Sequence, residues 1–143
     1  MRQGLVADTG GLLRALASRR DGVPTWPEYA AALTEGFPVI VPALVLSEVD
    51  YFLRQERPAM RKLIAEILDP GTVYELEPVI PADLVRALEI DAKFANLGLG
   101  LVDATVATVA ERRRQYRILT TDRSHFSAVR VGQNYRQALT LVP

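Results

Sequence analysis

The chain has 143 residues, no net formal charge at pH 7, and 49% hydrophobic and 24% charged side chains, the balance of an ordinary globular domain. It contains no cysteine, which excludes disulfides, thiolate metal sites and a cysteine nucleophile; the balanced charge argues against a protein that coats nucleic acid without selectivity. The N-terminus "MRQGLVADTGG" lacks a signal-peptide core and no stretch approaches the roughly 18 consecutive apolar residues of a membrane span, so one cytoplasmic domain over residues 1–143, with no membrane contact, is expected.

"GLVADTGG" is an apolar run ended by Asp8, Thr9 and two glycines, which predicts a strand, a loop and then a helix over residues 12–18. "TWPEYAAALTEG" predicts a second helix, with Thr25 and Glu28 at capping-box spacing, Pro27 in the first turn and Gly36 as the stop. On that helix Trp26, Tyr29, Ala30 and Leu33 share an apolar side, read as core in preference to the wall of a groove for a partner helix.

"FPVIV" is a buried-strand run, after which Pro42 opens the helix "ALVLSEVDYFLRQ". "PAMRKLIAEILDPG" has its own proline start and Pro-Gly stop, and "TVYEL" alternates like a strand. Pro81 and Asp83 open a helix to residue 96, a further helix covers 97–114, "RILTT" is a strand ending at Asp122, and "ALTLV" is a last strand. Short apolar strands alternating with helices predict a three-layer α/β/α domain around a central, mainly parallel sheet.

Two helices place a carboxylate on an apolar side. Residues three and four apart share a helix face, so Asp103 lies with Leu99, Val106, Ala107 and Ala110, and Glu48 with Leu44, Val45, Tyr51 and Phe52. A charge there is costly to desolvate unless a basic group reaches it or it holds a cation in a cleft. Asp8 and Asp122 each end a strand, and in open α/β sheets the ligand site lies at the carboxyl ends of the strands. Four converging carboxylates repel one another; a hard divalent cation such as Mg²⁺ resolves the repulsion and activates bound water.

Plainer readings stand beside these. Asp50 precedes Arg54 by four residues, the spacing of a surface ion pair; Asp91 resembles Glu48 on a less uniformly apolar helix; Asp8 suits a turn and Asp122 a cap for "RSHF". His125, the only histidine, fits a surface or capping role at least as well as a catalytic one, and zinc has little support. Ser47 and Thr120 are hydroxyls with no histidine base assigned to them, and "GLGL" is no nucleotide-binding loop.

Residues 1–103 hold 15 acidic and 10 basic side chains, residues 104–143 only 2 acidic and 7 basic, and all but Lys62 and Lys93 of the basic residues are arginine. Arginine suits phosphate, although high genomic GC content enriches it as well. Arg112, Arg113, Arg123 and Arg130 are the candidates for RNA backbone contact.

Taken in order and spacing, "LVADTGGLL", "VPALVLSEVDYFL", "LGLVDATVATVAERR" and "ILTTDRSHF" resemble the acidic motifs of the PIN-domain ribonucleases, and most closely the VapC toxins of bacterial and archaeal toxin-antitoxin pairs. The resemblance covers nearly the whole chain. It implies a PIN-like fold in which Asp8, Glu48, Asp103 and Asp122 hold Mg²⁺ or Mn²⁺ and activate water for hydrolysis of an RNA phosphodiester, with Thr9 and Thr120 in support. It further implies a VapB-type antitoxin bound near the early helices, a homodimer, and tRNA or rRNA as substrate. One departure is Gly10, where many relatives carry serine after Asp-Thr.

Other classes fit less well. A phosphoaspartyl phosphatase needs a second aspartate where Gly10 stands, and a receiver domain needs a late lysine, yet none follows Lys93. A PIN-like module that binds RNA or a partner without cutting is the remaining alternative.

Overall fold

A computed structural model describes residues 3–143; the expected domain span starts at Met1, and Met1 and Arg2 lie outside the described residues. The strands are β1 (Leu5–Ala7), β2 (Val39–Pro42), β3 (Tyr74–Glu77), β4 (Arg117–Leu119), β5 (Arg130–Val131), β6 (Gln137–Ala138) and β7 (Thr140–Val142). Five of them form one parallel sheet in the order β3-β2-β1-β4-β7. The short antiparallel pair β5–β6 was not foreseen, because two-residue strands carry no readable periodicity.

The helices are α1 (Thr9–Leu16), α2 (Pro27–Ala32), α3 (Ala43–Phe52), α4 (Arg57–Leu68), α5 (Pro81–Lys93), α6 (Gly100–Arg113) and α7 (Arg123–Phe126). Parallel strands covered on both faces read as continuous apolar runs. Accordingly Leu5, Val6, Ala7, Val39, Val41, Ile118 and Leu119 have no exposed surface, and they join Val45, Val49, Val106, Ala107 and Ala110 in a single buried cluster.

Three boundaries moved for physical reasons. Helix α1 begins at Thr9, three residues before the expected start, because the two glycines continue the helix. A Cβ on Gly11 would stand 2.1 Å from the Leu119 carbonyl oxygen, so the missing side chain is what lets α1 close on β4. The capping box at Thr25 and Glu28 does not form: Trp26 is the N-cap, without a side-chain cap bond, and α2 stops at Ala32. Helix α6 starts at Gly100, later than expected, because Gly98 and Gly100 both adopt positive φ, at 61° and 78°, a conformation glycine takes at no steric cost.

The chain leaves β1 toward β2 and β3 on one side, then returns to β4 and β7 on the other. Strand order therefore reverses between β1 and β4, and the crevice beyond their carboxyl ends is where such sheets place a ligand. Asp8 follows β1 directly, and Asp122 lies three residues beyond β4.

Candidate active site

Asp8 is the N-cap of α1, yet its side chain makes no capping bond. The cap is made by its backbone, whose carbonyl accepts from Leu12 N–H at 2.9 Å, so the carboxylate is free to face the crevice. One oxygen, Oδ2, accepts from Thr120 Oγ1 at 2.8 Å. The other, Oδ1, is buried without a hydrogen-bond partner. Thr120 also accepts from Asp122 N–H at 2.9 Å, and one hydroxyl thereby fixes the ends of β1 and β4 relative to each other.

Glu48 is half-buried on α3 and accepts from Thr9 Oγ1 at 2.6 Å. The apolar face expected around it divides: Val45 is buried, while Tyr51 and Phe52 are 59% and 60% exposed, so Glu48 sits at the rim of the packed surface. Asp103 lies in the first turn of α6, where the positive end of the helix dipole favours a carboxylate. Its Oδ2 is 2.9 Å from Nδ1 of His125, and the same nitrogen is 2.9 Å from Asp122 Oδ2. Asp122 caps α7 as well, its Oδ1 accepting from His125 N–H at 3.0 Å. The capping expected of this residue is therefore met by one oxygen, and the other faces His125.

His125 is the residue that sequence reasoning undervalued. Its position three residues after Asp122, one turn on, was legible; its approach to Asp103 of α6 depends on the tertiary fold.

Neighbouring acids act on Asp8 and on Asp103. Burial first, then the charge of Asp103, pushes the Asp8 carboxyl up from 3.8 to about 6, with Thr120 opposing and Glu48 adding. Asp103 is also raised, mainly by burial, against the lowering effect of its His125 bond, with Asp122 and Glu48 adding. His125 is raised above the ordinary histidine value, first by its bond to Asp103. An orphaned buried oxygen on Asp8, together with ligand atoms of Asp103, Asp122 and His125 lying within 4.8 Å of one another, is a donor set rich in hard oxygen that fits a divalent cation.

A profile of the PIN domain family matches residues 5–132. The chain is a PIN domain. It is 32% identical over 92 residues to Ribonuclease VapC26 of Mycobacterium tuberculosis, an alignment that spans 64% of this chain and 68% of that protein. The fold resembles that of the Mycobacterium tuberculosis toxin VapC20, which cleaves the sarcin-ricin loop, with a TM-score of 0.71 at 22% identity over 87% of this chain and 94% of that one. It also resembles a chain of a toxin-antitoxin complex from Klebsiella pneumoniae, with a TM-score of 0.66 at 17% identity over 87% and 92% of the two chains.

In this PIN domain the position after Asp8-Thr9 is open to glycine for a local reason. A Cβ on Gly10 would stand 2.3 Å from Thr121 Oγ1, so a threonine hydroxyl occupies the space a serine side chain would enter.

The arginines divide. Arg112 donates to Glu77 Oε1 at 2.5 Å and grips Asp83 with two bonds of 2.9 Å. Arg113 bonds Glu77 and, at 2.8 Å, Glu75. These forks tie α6 to β3 and α5 and occupy both guanidiniums with carboxylates, so although each side chain is 32% exposed, the structure lends the expected RNA contact no support. Arg123, beside Asp122, is exposed and donates to the Pro143 carbonyl, and Arg130 donates to the Ser127 and Val129 carbonyls; neither meets a carboxylate among the described residues.

Asp50 pairs with Arg57 at 2.6 Å instead of Arg54, whose guanidinium turns back to the Tyr51 carbonyl. Asp91 accepts from Gly100 N–H at 3.1 Å, a structural task at the start of α6. Trp26 is 41% exposed, against the core reading, whereas Tyr29 and Leu33 do pack against the core.

Proposed function

We propose that this PIN domain is a divalent-metal-dependent endoribonuclease, the toxin of a toxin-antitoxin pair, hydrolysing RNA phosphodiester bonds of tRNA or rRNA. The observation that carries this reading is the close grouping of Asp103, Asp122 and His125 at the sheet's switch point, with a buried, unbonded oxygen on Asp8 beside Thr120. The similarity to a named ribonuclease supports the same chemistry.

Asp8, Asp103 and Asp122 would hold the cation, Mg²⁺ or Mn²⁺, with Glu48 at its edge. Bound there, it would neutralise the cluster, lower the pKa of water and stabilise charge on a phosphoryl oxygen. Thr120 aims Asp8, and Thr9 aims Glu48. His125, between Asp103 and Asp122, holds a proton close to both acids and fixes their orientation. In hydrolysis the water oxygen bonds to phosphorus, the bridging P–O bond breaks, the proton released by the water passes to a carboxylate of the cluster, and the departing ribose oxygen takes up a proton from solvent. Incubation of RNA with purified, partner-free protein in Mg²⁺ and in excess EDTA tests the reading; cleavage confined to the Mg²⁺ arm is expected, and cleavage equal in both overturns it.

The partners belong to the same proposal. A groove of about 850 Å³ between α1 and α4 has Leu13, Leu16, Leu53 and Leu63 among its lining, with charged Arg19 and Glu66; it suits an amphipathic segment of a VapB-type antitoxin. Leu84, Val85 and Leu88 are exposed along α5 and suit a second copy in a homodimer, which sedimentation of the isolated chain would reveal. No described helix is long and apolar enough to cross a membrane.

A further inference from the structure

The acid cluster repels the backbone of any RNA that approaches it, so binding energy must come from groups beside it. Two of the arginines expected to supply it, Arg112 and Arg113, are spent on Glu75, Glu77 and Asp83. A different cation stands on α1. The Arg14 guanidinium lies over the Trp26 ring, 4.0 Å from its centroid, and 5.4 Å from that of Tyr29. The two rings meet edge to face at 6.5 Å.

Arg14 has no ion pair among the described residues, whereas Arg57, Arg86, Arg112, Arg113 and Arg117 all do. The Tyr29 hydroxyl lies 3.5 Å from the carbonyl oxygen of Thr120, whose side chain holds Asp8. A single residue thus separates this aromatic–guanidinium stack from the acids.

Resting on the nuclease reading above, we propose that Trp26, Arg14 and Tyr29 form a stacking subsite for an unpaired nucleobase of the RNA being cut. Single-stranded RNA is gripped by stacking its bases on aromatic rings and guanidinium planes, while cations meet its phosphates. Trp26 offers the ring, and Arg14, held beside that ring at 4.0 Å from its centroid, keeps donors unspent for a phosphate. The recess at Trp26, Pro27, Glu28 and Tyr29 is about 300 Å³, room for a base, whereas the groove on the Leu13 and Leu16 side of α1 is nearly three times larger. Successive helix positions diverge by about 100°, so α1 turns Arg14 and those leucines to different sides, and a nucleotide and a protein segment have separate places.

Trp26 is the only tryptophan, which makes its emission a direct probe. The full chain in EDTA is titrated with a short single-stranded oligoribonucleotide and with inorganic polyphosphate, binding being followed independently by anisotropy of labelled RNA. The subsite predicts quenching by RNA and none by polyphosphate. In Mg²⁺, Trp26→Ala should raise KM for RNA by about tenfold with a smaller change in kcat, Trp26→Phe should restore most of the loss, and Arg14→Ala should raise KM and flatten its salt dependence.

RNA that binds without moving the emission, RNA that fails to bind, or a Trp26→Ala chain with unchanged KM overturns the proposal. If that chain keeps its KM but no longer copurifies with its co-expressed antitoxin, the surface belongs to the protein partner and the proposal is likewise wrong. Quenching by RNA from a wild-type chain that cleaves nothing in Mg²⁺ would support the subsite and remove the nuclease reading instead.

Discussion

Nδ1 of His125 lies 2.9 Å from Oδ2 of Asp103, and this contact answers why a carboxylate sits on the apolar side of α6. A basic group does reach Asp103, but it is the side chain of a residue shared with Asp122 at the mouth of a crevice, and it meets one oxygen only. The pair is no sealed ion bridge: His125 is 25% and Asp103 19% exposed at the side chain. Burial still outweighs the histidine in holding the Asp103 carboxyl above its ordinary range.

Asp103→Asn should therefore keep the fold. In EDTA at pH 8 its melting temperature should equal or exceed that of the wild type, because a disfavoured charge has gone. Cleavage in Mg²⁺ should fall at least about 100-fold. Thermal unfolding beside a cleavage assay checks both; a large loss of stability with activity retained would return Asp103 to a structural role.

The metal-free protein should lose stability as pH rises. Asp8 binds its proton more tightly in the fold, with a carboxyl at about 6 against an ordinary 3.8. The native state then holds more protons than the unfolded one between these values, so the stabilising effect is complete below 3.8, falls across that interval and is gone once pH has risen through 6. The difference corresponds to about 3 kcal/mol. His125, also raised, acts in the same direction: its contribution is present below the ordinary histidine range and lost as pH rises through its folded value. Denaturant unfolding in EDTA from pH 5 to pH 8 should show the decline, and Asp8→Asn should flatten it.

Arg112→Ala should damage the fold more than the chemistry. It strands Asp83, 2% exposed at its side chain, while Glu77 keeps Arg113, and leaving a buried charge unpaired costs about 3 to 5 kcal/mol. Chemical denaturation gives the loss, and activity per folded molecule should stay near that of the wild type.

Arg123→Ala and Arg130→Ala should do the reverse. Neither cation meets a carboxylate among the described residues, so unfolding should be little changed. Each substitution should weaken RNA binding and reduce the slope of log K against log salt by about one if that residue meets a phosphate. An unchanged slope would assign both to solvated surface.

The sequence made the architecture legible because β1, β2 and β4 are buried on both faces, so their apolar runs needed no neighbour to interpret. The four candidate acids stood out for a similar reason: Asp8 and Asp122 follow strands, Asp103 breaks an apolar helix face, and Glu48 sits at the rim of one. What stayed hidden depended on contacts distant in sequence. Gly10 and Gly11 read as a loop until the Leu119 carbonyl and the Thr121 hydroxyl close upon them. Arg112 and Arg113 read as a phosphate grip because their carboxylate partners lie about 30 or more residues earlier, Asp83 at a separation of 29 and Glu75 at 38. Trp26 read as core because helical spacing records which residues share a side, not whether anything covers it.

Cleavage of single-stranded RNA by the purified, antitoxin-free chain, compared in Mg²⁺, in excess EDTA and after Mg²⁺ is restored, tests the central claim most directly, with Asp8→Asn, Glu48→Gln, Asp103→Asn and Asp122→Asn run alongside. The acid cluster predicts cutting in Mg²⁺, none in EDTA, recovery on restoration, and loss in every variant. Cutting that persists in EDTA, or in variants that remain folded, would contradict it.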